Sequence, residues 1–135
     1  MDAEIGARVS ILRPEQPGSR ATLDREERVV KDGILRMGSL VESQIRDAVR
    51  AFAERDLETA EAVIAADDRI NEAQHEIGDT IVSTIATQSP VARDLRFLIG
   101  LDHVAFELER IGDRVTNIAE DVVYLATGRI EDLNP

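Results

Sequence analysis

Cysteine is absent from all 135 residues, which removes disulfides, thiolate metal sites and cysteine nucleophiles from consideration. That composition suits the cytosol. Bases are scarce beside acids, 16 against 27, for a formal net charge of −11. A surface of that sign repels a phosphate backbone, so nucleic acid is not expected as the main partner. A metal-binding or protein-binding surface fits better. Long apolar runs are missing: the run at 97–101 is far too short to span a bilayer, and no direct membrane insertion is expected. The opening Met1-Asp2-Ala3-Glu4-Ile5-Gly6 lacks the basic-then-apolar order of a signal peptide. Neither a phosphate-cradling glycine loop nor a nucleophile constellation occurs. The chain is therefore not expected to be an enzyme, nor to carry an organic cofactor.

Helical periodicity is what the chain has in abundance. Residues 1–20, with Pro14, Pro17 and Gly18, show no sustained period and read as a flexible arm. Val30, Ile34, Met37, Val41, Ile45, Ala48 and Phe52 then step by three and four, predicting a helix over 22–53. Asp56 has the position of an N-cap. A second helix carries Val63, Ala66, Ile70, Ala73, Ile77, Ile81 and Ile85 as its stripe. Ser89 is expected to cap a third helix, with Pro90 at its first position and Gly128 closing it. Residues 129–135 read as a tail. Three helices of roughly 45 to 55 Å at 1.5 Å per residue, joined by very short connections, must lie antiparallel to their neighbours. The expected fold is all-α: an elongated up-down-up three-helix bundle over 21–128.

The third helix carries the chemistry. Val104, Leu108, Ile111, Val115, Ile118, Val122 and Leu125 are expected to form its buried stripe, joined at the start by Phe97 and Leu101. On a wheel of about 100° per residue, Asp102, Glu109, Asp113 and Glu120 fall on the opposite face. They are either a solvated face, with Arg110 and Arg114 pairing among them, or a rack of oxygen ligands. Leu95, Leu98, Ile99 and Phe106 point away from the stripe. That leaves two readings: a wide core arc within the bundle or a subunit contact. Glycines 33, 38, 78, 100 and 112 each cost on the order of 1 kcal/mol in a helix, and some are expected to allow close helix approach.

The segment Ser89-Pro90-Val91-Ala92-Arg93-Asp94-Leu95-Arg96, followed by Leu108-Glu109-Arg110-Ile111-Gly112-Asp113 and Asn117-Ile118-Ala119-Glu120, resembles the PhoU domain of phosphate-uptake regulators. Met37-Gly38-Ser39-Leu40-Val41, Arg55-Asp56-Leu57-Glu58 and Asp67-Asp68-Arg69-Ile70-Asn71 follow in matching order upstream. The resemblance covers residues 24–128 and implies a three-helix bundle of the PhoU or spectrin-like kind. Family members carry two such bundles in tandem, whereas this sequence holds one Glu-Arg-Ile-Gly-Asp signature. A homodimer is the expected compensation.

The resemblance also implies metal binding through paired motifs of acid, three residues, acid. Glu109 and Asp113 match one motif. Asp67 and Asn71 match the other, with an uncharged amide where the family has a second carboxylate; Asn117 and Glu120 extend the row. All-oxygen ligation favours magnesium, manganese, calcium or iron over zinc. The implied function is a regulatory adaptor. It couples the ATPase subunit of a phosphate ABC transporter to a sensor histidine kinase and restrains the phosphate-starvation response. The implied place is cytoplasmic, peripheral at the inner membrane through those partners, with Arg93 and Arg96 available for docking or for internal salt bridges. A metal-buffering or storage module and a plain helical oligomerisation unit are the alternatives. Glu72 and His75 have the Glu-x-x-His spacing of di-iron bundles, but one copy without a fourth helix is not expected to be catalytic. His103 is expected to be a packed or solvated histidine.

Overall fold

Residues 19–128 are described by a computed structural model. The expected tail, and the expected arm apart from its last two residues, lie outside them. Three helices fill the described chain: α1 (Arg20–Glu54), α2 (Leu57–Gln88) and α3 (Ala92–Thr127). Each packs against both others, giving the all-α up-down-up bundle.

Local chemistry sets the helix ends. Ser19 accepts the Thr22 N–H at 3.0 Å, so α1 starts two residues before the periodicity alone implies. It ends at Arg55, in the left-handed region with φ 52°, while the Asp56 N–H donates back to the Ala51 carbonyl at 3.0 Å. Asp56 caps α2 as expected, accepting from the Thr59 N–H at 3.1 Å and hydroxyl at 2.6 Å. Those bonds hold its carboxyl below the usual range.

The next turn departs from expectation. Ser89 takes the left-handed conformation, φ 44°, and donates its N–H to the Ile85 carbonyl, closing α2. It therefore does not cap α3; Val91 occupies that position with no side-chain bond, and Pro90 lies before the helix. Gly128 closes α3 as expected, at φ 71°.

At the open end of the bundle Arg20 forms a bidentate bond to Asp94, at 2.7 and 3.1 Å, tying the first turns of α1 and α3 together. This partner holds the Asp94 carboxyl low. Burial, then the neighbouring Asp94, pushes Glu27 up.

The core falls into two apolar clusters. One joins Leu23, Val30, Ile34, Met37 and Val41 to Ile70, Ile77, Ile81, Leu98 and Ala105. The other is built on smaller side chains, Ala48, Ala51, Ala60 and Ala119 with Val63, Val115, Val122 and Val123. Between them lies a polar layer of Gln44, Asp67 and Thr116, all buried.

That layer changes the phase of two expected stripes. On α1, Gln44 and Ala51 are buried while Ile45 and Phe52 face solvent. On α3 Val115 and Val122 are buried as expected, but the rest of the inward row is Asp94, Leu98, Ala105, Gly112, Thr116, Ala119 and Val123. Phe97, Val104, Ile111, Ile118 and Leu125, expected in the buried stripe, are exposed, and Leu98, expected outside, is fully buried. A pattern scored on large apolar residues overlooks the small and polar side chains that this core uses.

Candidate functional site

The rephasing of α3 carries its acids with it. Glu109, Asp113 and Glu120 do not stand on the face opposite the core; all three are half-buried along the flank facing α2. Asp102 is exposed. Across from Glu109 and Asp113 is Asp67 of α2, only 3% exposed.

Gly112 lies at a point of close approach between these helices. A Cβ at that position would lie 3.3 Å from Ile70 Cδ1 and 3.4 Å from both Asp67 Oδ1 and Gln44 Oε1. Two oxygens thus converge on the space over one glycine. The Gln44 Nε2 donates to the Val63 carbonyl at 3.2 Å, which turns its oxygen toward Asp67. The Thr116 hydroxyl donates to the Gly112 carbonyl at 3.1 Å. Gln44 Oε1 and Asp67 Oδ1 are left buried without a hydrogen-bond partner among the described residues, a costly arrangement for two acceptors.

The electrostatics follow from the geometry. Burial pushes the Asp67 carboxyl up, and the charge of Asp113 adds to this. Glu109 is pushed up to about 7, first by burial, then by sharing a hydrogen bond with Asp113, then by the charges of Asp113 and Asp67. Three carboxylates and one amide oxygen thus share a strained, electron-rich interface that a cation or a proton would relieve.

Of the six residues singled out from the sequence, the fold brings together Asp67, Glu109 and Asp113. Asn71 is half-buried one turn along α2, where its backbone carbonyl lies 2.9 Å from His75 Nδ1. Glu120 is half-buried two turns beyond Asp113, about 10 Å along the axis, and Asn117 is exposed. Among the described residues no three His, Cys, Asp or Glu side chains already form a cage for one ion. Hard cations that keep most of their water fit such a site, since magnesium needs only one or two protein carboxylates. Gln44 and Thr116 are site residues absent from the sequence reading, which has Gly112 only among the glycines that could allow close helix approach. Glu72 and His103 are exposed. Arg93 and Arg96 make no ion pair among the described residues.

A family model for the PhoU domain matches residues 34–122. A protein of Rhizobium meliloti called a phosphate-specific transport system accessory protein PhoU homolog is 37% identical over 106 residues, covering 78% of this chain and 45% of the relative. Proteins of the same description from Pseudomonas putida and Aquifex aeolicus are 40% identical over 96 residues and 36% identical over 104. They are covered over 38% and 47% of their lengths, against 71% and 77% of this chain. The chain thus spans less than half the length of these curated relatives. No solved structure gives a significant match.

Proposed function

The chain belongs to the PhoU domain family, and from that premise we propose that it is a regulatory adaptor of phosphate uptake. It works by binding: it docks on the ATPase subunit of a phosphate transporter, relays the transporter's state to a sensor kinase and restrains the starvation response. The match over 34–122 to proteins named as accessories of phosphate transport carries this reading. Among the described residues no helix is long and apolar enough to cross a membrane, so the adaptor meets the membrane through its transporter. Exposed Arg93 and Arg96 at the start of α3, without an ion pair among the described residues, offer cations for such docking. Two copies of the chain act together.

A metal ion belongs to the same proposal. Asp67, Glu109 and Asp113 would hold it, with Gln44 Oε1 turned toward Asp67 from α1 and Asn71 one turn away on α2. Bound there, a hard cation supplies charge that pins α2 to α3. What supports this is the pair of buried, unpartnered oxygens over Gly112 together with the raised Glu109 carboxyl.

Affinity capture from solubilised membranes tests the adaptor, with elemental analysis of the purified protein in parallel. Recovery of the transporter ATPase subunit is expected, and its loss in an Arg93→Glu/Arg96→Glu variant. Capture that is the same with and without the chain would end the proposal. For the metal, the melting temperature is expected to rise with manganese in the wild type and to stay fixed in a Glu109→Gln/Asp113→Asn variant. Equal shifts in both would retire the site.

A further inference from the structure

Five apolar side chains on α3 stand at an unbroken spacing of seven: Phe97, Val104, Ile111, Ile118 and Leu125, each between 43 and 56% exposed. The first four immediately precede buried residues (Leu98, Ala105, Gly112 and Ala119), so they stand about 100° from the inward direction. Glu109 and Asp113 mark the α2 flank of this helix through their interaction with Asp67. The row therefore lies on the other flank, beside α1.

There α1 exposes Ile45, Val49 and Phe52. These stand away from the groove with α2, which Leu40, Ser43 and Asp47 line. Helices α1 and α3 run parallel, with Ala48 and Ala51 sharing a core with Val115 and Ala119. The three α1 residues consequently sit next to the C-terminal half of the row. Scattered exposed apolar residues are ordinary, but a contiguous band about 42 Å long, at 1.5 Å per residue, marks a contact surface. A spacing of seven drifts by about 20° per repeat on a straight helix, so a helix that follows it winds left-handed, as in a coiled coil.

The row also says what covers it. It reads alike in both directions from Ile111, with Val104 and Ile118 seven residues away and Phe97 and Leu125 fourteen. Glu107 and Arg114, four before and three after Ile111, flank it on the outer side. Glu107 has only a weak contact to Arg110, at 3.9 Å between exposed groups, and Arg114 makes no ion pair among the described residues. A two-fold axis at Ile111 sets Glu107 of one copy near Arg114 of the other, and the same pair recurs across the axis.

We propose that this face joins two copies of the chain, α3 against α3 and antiparallel, about a two-fold axis at Ile111. Phe97 and Val104 of each copy then meet the end where the other exposes Ile118, Leu125 and the α1 trio. This locates the homodimer proposed above and depends on that part of the reading alone, not on metal or transporter.

The absence of cysteine makes a clean test possible. Light scattering on the eluting wild-type protein is expected to give a dimer at micromolar concentration. Ile111→Cys is expected to bridge to itself under mild oxidation. Val104→Cys alone should not bridge, while mixed Val104→Cys and Ile118→Cys chains should. Ile111→Glu is expected to be monomeric with unchanged helicity. Glu107→Arg or Arg114→Glu should weaken the dimer several-fold, and combining them should restore it. A monomer throughout would remove both the homodimer and this face. A dimer in which Ile111→Cys does not bridge would leave the homodimer standing and overturn the face.

Discussion

Glu109 is the residue whose titration is most informative. Its carboxyl moves from an ordinary value of 4.5 to about 7 in the fold. Between those values the folded chain holds a proton that the unfolded chain has lost, so raising the pH across the window removes stability. Below 4.5 and above 7 the group contributes no slope. Solvent screens this half-buried side chain, which puts the effect at about 1–2 kcal/mol. The expected outcome is a wild-type denaturation free energy that falls from pH 4.5 to 7, relative to a Glu109→Gln variant. Asp67 acts in the same direction and Asp94 in the opposite one, so the difference between the two proteins, not the wild-type slope, is the quantity to measure. Parallel curves would show that the carboxyl titrates normally. Gly112 gives a second expectation at this scale. Alanine there presses a methyl group between Ile70, Asp67 and Gln44 and should lower the melting temperature despite its better helix propensity. At Gly78, where a Cβ meets nothing within 4 Å, alanine should stabilise by up to about 1 kcal/mol. The sequence marked both glycines as costly, but only the neighbours on other helices distinguish them.

At the scale of the element, the connection between α2 and α3 carries the clearest strain. Ser89 sits at φ 44°, a region that penalises a Cβ by roughly 1–2 kcal/mol. Ser89→Gly should therefore raise stability by about 1 kcal/mol, visible as a shifted urea midpoint with an unchanged slope. Destabilisation by that substitution would mean that the serine hydroxyl contributes more than its backbone costs. The same turn shows what was legible beforehand. Three helices, their order and the Asp56 and Gly128 caps follow from local patterns, because capping chemistry and apolar spacing act within a few residues. The α3 stripe follows only in part: Val115 and Val122 are buried, but the inward row also uses Gly112, Thr116 and Ala119, whose fit depends on Gln44 and Asp67 from the other two helices. One signal was available: Gln44 falls three residues after Val41 and four before Ala48, in step with the α1 stripe, and competes there with Ile45. A polar residue in register with a core row marks a layer where helices exchange polar contacts. The family motif singles out Asp67, Glu109 and Asp113, which the fold brings together, yet the periodicity places the α3 pair on the solvent face, since a one-residue error of phase turns a helix by about 100°.

For the molecule as a whole, the polar layer is a defect in stability that the bundle retains. Two apolar clusters flank it, and continuous apolar packing through the middle of three long helices would be the more stable arrangement. Two facing acceptors without donors are what an isosteric change can repair. Asp67→Asn removes the buried charge and supplies an amide N–H toward Gln44 Oε1, so it should stabilise the protein by about 1 kcal/mol. The same change takes away the ligand through which α2 would feel a bound cation. Manganese should then raise the melting temperature of the wild type and leave that of Asp67→Asn unmoved, although the variant begins higher. That crossing of effects separates a binding layer from an accident of packing. A variant that is more stable yet answers manganese as the wild type does would place the ion elsewhere, while one that is less stable would show that Asp67 already has a donor in the folded chain. The expected pattern, stability gained and response lost, is the one that arises when a core carries charge for the sake of a ligand.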